Sequence, residues 1–237
     1  MAQEEWLNRR PHGDGVVELQ LGHAPENRLT AAFLRDFQTE IMALSRDDSV
    51  RALLLTSPFK DFCTGLPLDD AAGAERPDAE LNAAFLALYA SPKPVVTACA
   101  GLCSGAGMFF VLASDVRVAH ARAGFELSQV QQGQGYPAAL MEIARASLDT
   151  NTQRRLMLTG QRLGPIAARN AQIIEIIADD LEDLHGYALK EARKCASLPP
   201  ATYAEIKRDL RRDTIARIET RLDESMSTPD TEKRLAG

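Results

Sequence analysis

Two short runs, Ala52-Leu53-Leu54-Leu55 and Val95-Val96-Thr97-Ala98, are apolar at nearly every position, and they constrain the fold more than any other feature. A strand that faces water on one side alternates in polarity. A run without alternation fits a strand buried on both faces, as in a sheet covered by helices. One helical period precedes the first run, and another separates it from the second. Phe33, Leu34, Phe37, Ile41 and Leu44 recur at helical spacing behind Thr30, which predicts an N-cap. A second helix is predicted from about Ala79 to Tyr89, before Pro92 and Pro94 turn the chain into the second run.

Around this unit the pattern continues. Val16 to Leu21 alternates, with Val17, Leu19 and Leu21 on one face and Glu18 and Gln20 on the other, which predicts a half-buried strand. Asp115 to Ala119 alternates in the same way. Gly101 to Gly107 reads as a small-residue loop, followed by an apolar helix over Met108 to Ala113. Pro67 to Pro77, rich in Asp, Ala and Gly, predicts a mobile surface segment. Helices are predicted over Gln153 to Leu158, Pro165 to Ala171 and Asp183 to Ser197. After the break at Pro199-Pro200, a last helix carries Ile206, Leu210, Ile218 and Leu222 on one face. Two-thirds of the chain thus alternates strand and helix, and the rest is helical, which predicts an α/β fold. The boundary near 195–202 divides a core, residues 1–195, from a helical segment, 196–237. The segment's apolar stripe must be buried on its own core or on a neighbouring subunit.

Composition narrows the function classes. The chain has 237 residues, 45% of them hydrophobic and 25% charged, with a net charge of −6. A sizeable core is expected, and the electrostatic footprint of a nucleic-acid binder is absent. The N-terminal stretch lacks the apolar region of a signal peptide, and no apolar run is long enough to span a bilayer, so a cytoplasmic protein is expected. Cys63, Cys99, Cys103 and Cys195 show no zinc-like spacing beyond a single C-x3-C. They are expected to be reduced thiols, with no metal bound.

Two loops carry the chemistry. Phe59-Lys60-Asp61-Phe62-Cys63-Thr64-Gly65-Leu66 follows the first apolar strand, and Gly101-Leu102-Cys103-Ser104-Gly105-Ala106-Gly107 follows the second. Open α/β proteins place ligands at such strand ends. The second loop also opens a helix, whose free N–H groups suit an oxyanion. Taken alone, a Gly-x-Gly before a helix is more often a tight turn than a binding site. It is neither a phosphate-binding P-loop nor a dinucleotide fingerprint.

In order along the chain stand Phe62-Cys63-Thr64-Gly65-Leu66, Ser91-Pro92-Lys93-Pro94-Val95-Val96, Gly101 to Gly107, Ala113-Ser114-Asp115-Val116-Arg117-Val118-Ala119 and Phe125. This series resembles the crotonase (enoyl-CoA hydratase/isomerase) superfamily, with its F-x-A-G-x-D, K-P-V-I-A-A-V-x-G and G-G-G-x-x-L-A-x-x-C-D-x-x-x-A segments. The likeness runs from about residue 16 to 225. It implies a spiral of β-β-α units with a helical C-terminal segment used for trimerisation, and homotrimers or dimers of trimers. It also implies an acyl-CoA thioester held in a backbone oxyanion hole, the coenzyme A being part of the substrate and no further cofactor being required. By position the two N–H groups belong to Leu66 and Ala106. Thr64, Gly65, Gly105, Phe109 and Tyr136 fall beside the substrate, and Lys60 is a candidate for a CoA phosphate contact or a solvated loop lysine.

The chain also departs from that pattern. The two glutamates of the hydratases fall at Phe109 and Gln129, and neither side chain transfers protons at neutral pH. Gln129 is left to orient water or a carbonyl. Glu126 precedes it by three residues; extended chain would set the two on opposite faces, so Glu126 reads as a surface or structural residue. Asp115 is structural in relatives. Asp69 and Asp70 stand where an acid positions the loop. His120 is expected at an exposed strand end, and His12, His23 and His185 in polar surroundings. The resemblance therefore implies CoA-enolate chemistry other than ordinary hydration, such as isomerisation or decarboxylation. The alternative is a non-catalytic acyl-CoA binder.

Overall fold

The computed structural model describes residues 6–66 and 76–227, so the predicted segment Pro67 to Pro77, with Asp69 and Asp70, lies largely outside the described residues. The chain opens with strands β1 (Leu7–Pro11) and β2 (Val16–Leu21), then helix α1 (Ala31–Arg46), strand β3 (Ala52–Thr56) and helix α2 (Asp78–Ala90). Next come β4 (Val95–Cys99), β5 (Leu102–Ser104), a 3-10 turn (Gly105–Met108) and α3 (Phe109–Leu112). Strands β6 (Val116–His120) and β7 (Gly124–Glu126) lead through a second 3-10 turn (Gln129–Gln132) to α4 (Ala138–Ser147). Then follow α5 (Thr150–Gln153), α6 (Pro165–Asn170), β8 (Ile176–Ala178), α7 (Leu181–Ala196) and α8 (Pro200–Ser227).

The main sheet has the order β1-β2-β3-β4-β6-β8, parallel from β2 onward, with β1 antiparallel on the edge. A second, two-stranded parallel sheet pairs β5 with β7, and Cys63 extends it through a parallel bridge to Cys103. A repeat emerges from this pairing. β3, Cys63 and α2 form one β-β-α unit, β4, β5 and α3 the next, and β6, β7 and α4 the third. In each, the first strand joins the large sheet and the second joins the small one.

Local chemistry explains the elements. Thr30 caps α1 through its side chain, which accepts from the Phe33 N–H at 3.2 Å, and the five expected apolar positions of α1 are buried. All residues of β3 and β4 are buried. One face of the sheet packs on the main core, with α1, α2, α3 and α4. The other packs on α7, whose Leu184, Ala188, Ala192 and Ala196 recur every four residues as one seam.

That second layer corrects two expectations. β2 is not half-buried: α7 covers its other face, and Glu18 is only 2% exposed. His120 is not at the surface: β8, too short to be anticipated, pairs beside it, and the ring is buried. Gly101 to Gly107 is not all loop, because β5 lies within it.

The face of α8 is also different. Ile218 is buried, whereas Ile206 and Leu210 are 55% and 80% exposed, so the four do not share one buried stripe. The inward seam instead carries Lys207, Arg211, Thr214 and Ile218. Asp115 Oδ2 accepts from Lys207 Nζ at 2.6 Å, and its Oδ1 accepts from Arg211 Nη2 at 2.7 Å. Further along, buried Glu142 of α4 accepts from Arg217 at 3.1 Å and Arg221 at 2.9 Å.

Candidate active site

The two glycine-bearing loops are joined by main-chain bonds. The Phe62 and Cys63 N–H groups donate to the Leu102 carbonyl at 3.0 and 3.1 Å, and the Ser104 N–H donates to the Cys63 carbonyl at 3.0 Å. The first loop thus lies along β5 as a further strand. Asn27 holds it from behind: its Nδ2 donates to the Phe62 carbonyl at 2.8 Å, and its own carbonyl accepts from the Cys63 thiol at 2.9 Å. The Leu29 N–H donates to the Gly65 carbonyl at 2.8 Å.

Gly65 sits where these constraints meet. Its φ is +84°, and a Cβ there would stand 2.9 Å from the Ser104 carbonyl oxygen and 3.3 Å from the Ala106 nitrogen. Glycine alone tolerates both the backbone angle and the approach. Ala106 is the second residue of its 3-10 turn, so its N–H has no acceptor within that turn. Thr64, Leu66, Gly105 and Ala106 line one cavity of about 360 Å³.

Polar side chains line the same cavity. β5 and β7 bring Ser104 and Glu126 side by side, and Ser104 Oγ donates to Glu126 Oε1 at 2.8 Å. Arg162 Nε lies 3.9 Å from the other carboxylate oxygen. The second 3-10 turn folds the chain back after β7, so Gln129 lines the same cavity as Glu126. The expectation of opposite faces fails because the extended conformation ends at Glu126. Gln129 is buried, and its Oε1 has no hydrogen-bond partner; nor has buried Thr64 Oγ1. Unpaired buried polar atoms are uncommon and call for an explanation, of which a ligand is one.

Other residues fall elsewhere. Phe109 is fully buried, packed against Phe85 and Tyr136 at ring separations of 5.9 and 6.4 Å. Among the described residues, neither Phe109 nor Tyr136, both expected beside the substrate, lines this cavity. The 3-10 turn before α3 directs Phe109 into the core. The Tyr136 hydroxyl is buried and unpartnered, and burial pushes its pKa up. Lys60 is exposed and off the wall, whereas Arg28 and Arg76 are on it. All four cysteines are free, and burial pushes the Cys63 thiol up to about 12.

The family model for enoyl-CoA hydratase/isomerase matches residues 12–233. The chain belongs to this family. An enoyl-CoA hydratase of Alternaria alternata, AFT6-1, is 29% identical over 185 residues, covering 73% of this chain and 62% of that protein. A second, AKT6-1, is 29% identical, covering 72% of this chain and 58% of that protein. The chain thus spans about three-fifths of these relatives. The human mitochondrial enoyl-CoA delta isomerase 1 is 24% identical, covering 89% of this chain and 72% of that protein. Among solved structures, human mitochondrial delta3-delta2-enoyl-CoA isomerase superposes with a TM-score of 0.84 at 25% identity, covering 92% of this chain and 88% of that one. Pseudomonas aeruginosa DspI superposes with a TM-score of 0.82 at 24% identity, covering 95% and 94%. These likenesses establish the crotonase fold. No helix among the described residues is long and apolar enough to cross a membrane.

Motif reading took Glu126, which lines the cavity, for a surface or structural residue, and did not single out Asn27, which holds the first loop. Recognising Glu126 requires the β5–β7 register and the turn after it, and a three-residue strand carries no periodicity.

Proposed function

We propose that this family member binds an acyl-CoA thioester with its carbonyl oxygen between the Leu66 and Ala106 N–H groups, and forms a CoA enolate with Glu126 as proton carrier. The carboxylate of Glu126 takes the proton from Cα. The C–H electron pair becomes the C=C bond of the enolate, and the negative charge on oxygen is stabilised by the two N–H donors. Such donors lower a barrier because they are already in place when the charge appears. Return of the proton at Cγ gives isomerisation, and return at Cα gives exchange. Water addition is disfavoured, since Phe109 is buried in the core and Gln129 carries no transferable proton. Arg28 and Arg76, on the cavity wall, supply positive charge for the CoA phosphates.

The observation that carries this reading is the Glu126 carboxylate beside Ser104 in the cavity that Leu66 and Ala106 also line. Incubating the protein with a β,γ-unsaturated acyl-CoA in deuterium oxide should incorporate deuterium at Cα. Glu126→Gln should slow this by about a hundredfold or more while leaving calorimetric binding near wild type. Equal exchange in the variant, or hydration of crotonyl-CoA as the fastest reaction, would exclude it.

The second reading is a non-catalytic acyl-CoA binder. It is favoured by the hydrogen bond from Ser104 to one Glu126 oxygen and by the positive charge of Arg162 3.9 Å from the other. It predicts tight binding with no exchange. Under either reading, exposed Ile206 and Leu210 on α8 supply the subunit contact of a homotrimer.

A further inference from the structure

On the face of the sheet covered by α7, away from the thioester cavity, three side chains from separate elements converge. Glu18 of β2 directs Oε2 at His12 Nε2, 2.6 Å away, and at His185 Nε2, 3.2 Å away. His12 lies in the turn between β1 and β2, and His185 in the first half of α7. These three donor atoms all lie within 4.8 Å of one another. The other Glu18 oxygen accepts from Thr56 Oγ1 at 2.6 Å, which fixes the carboxylate and leaves Oε2 for the histidines. The Glu18 side chain is 3% exposed, while those of His12 and His185 are 21% and 43% exposed, so the cluster opens outward.

We propose that His12, Glu18 and His185 form a binding site for a divalent transition metal of the zinc class. Two imidazoles and one carboxylate are a donor set that suits this ion, with water completing a four-coordinate shell on the open side. Ligand bonds of about 2.0–2.2 Å in a tetrahedral shell set donor atoms about 3.3 Å apart. The His185–Glu18 separation already has that value. His12 must retreat by about 0.7 Å to reach it, which its place in a turn permits. The ion takes the Nε2 lone pairs, and each neutral ring keeps its proton on Nδ1. Thr56 then acts as the outer partner that orients the ligating carboxylate. A bound ion would clamp the β1–β2 turn to α7. Spacing along the chain gives no sign of the site, because His185 lies 167 residues from Glu18.

The test uses the full chain stripped with a chelator and titrated with zinc, followed by melting temperature and calorimetry. The expected result is a saturable rise in melting temperature at one equivalent, with a Kd below about 10 μM. His185→Ala and His12→Ala should each weaken binding by at least about tenfold. Cobalt(II) should give the visible bands of a nitrogen- and oxygen-ligated four-coordinate ion without a thiolate charge-transfer band. Absence of binding, a Kd unchanged in both variants, or a thiolate band pointing to the cysteines would overturn the proposal. Because His185 is exposed, its variant reports on the site even if His12→Ala fails to fold.

Discussion

The cavity and the seam beneath α8 treat polar groups in opposite ways. In the seam, Asp115 accepts from the Val95 N–H as well as from Lys207 and Arg211, and Glu142 is bonded to Arg145, Arg217 and Arg221. In the cavity, Thr64 Oγ1 and Gln129 Oε1 are equally hidden from water and bonded to nothing. Burial alone therefore does not distinguish a cavity from a structural tie. Saturation combined with access does: a carboxylate ringed by donors fixes two elements together, whereas Thr64 and Gln129, unlike Tyr136 with its equally unpaired hydroxyl, combine an unpaired polar atom with a place on the cavity wall.

Four substitutions test that contrast, from the largest expected effect to the smallest. Asp115→Ala strands the buried Lys207 and Arg211 cations and should cost about 4 kcal/mol in urea unfolding. A loss below about 1 kcal/mol would mean the seam does not hold α8. Gly65→Ala pushes a Cβ toward the Ser104 carbonyl and displaces the Leu66 N–H. Thioester affinity should fall by about a hundredfold, equivalent to about 2.7 kcal/mol. Unchanged affinity by calorimetry would remove the main-chain donors from the site.

Glu142→Gln should cost about 2 kcal/mol, and its effect depends on pH. Burial by itself would raise the Glu142 pKa, but the bonds from Arg221 and Arg217 and the charge of Arg145 outweigh it and hold the pKa below the usual carboxylate value. A folded pKa below the unfolded one stabilises the protein above the unfolded value of about 4.3, and this stabilisation is lost as pH falls through the folded value. The gap between wild type and variant in urea midpoint should therefore be full at pH 7 and close toward acid; a gap that widens in acid contradicts the sign. Last, Gln129→Leu replaces an unpaired amide by an apolar group of similar size. It should raise the stability of the ligand-free protein by about 1 kcal/mol while weakening thioester binding, visible as melting curves that cross when ligand is added. A destabilised variant would show that the amide already has a partner.

The legible part of the fold was its patterned part. β3 and β4 follow from unbroken apolar runs, and α1 and α7 from helical spacing. β5, β7 and β8 have three residues each and β1 is mostly polar, so they reveal themselves only through their neighbours. The misreadings of Glu18 and His120 have that origin, since each was judged without the element that covers it. The stripe of α8 misled for another reason: helical spacing identifies residues that share a face, but not whether a core or another molecule meets it. At the site, Leu66 and Ala106 were given by position through the family resemblance, and the glycine and small residues beside them fit because close backbone approach restricts residue type. Glu126 escaped because its place on the cavity wall beside Gln129 depends on a turn of direction after a three-residue strand.

The hydrogen bonds linking Cys63 to Leu102 and Ser104 run from main chain to main chain, and so do the proposed donors to the thioester. Such a site is written in the path of the backbone more than in its letters. Cys63, Thr64 and Leu66 can exchange for other residues of suitable size without moving a donor, provided Gly65 stays. Binding and reaction type can then drift separately within one lineage: the cradle for the carbonyl persists while the side chains that handle protons are replaced one at a time.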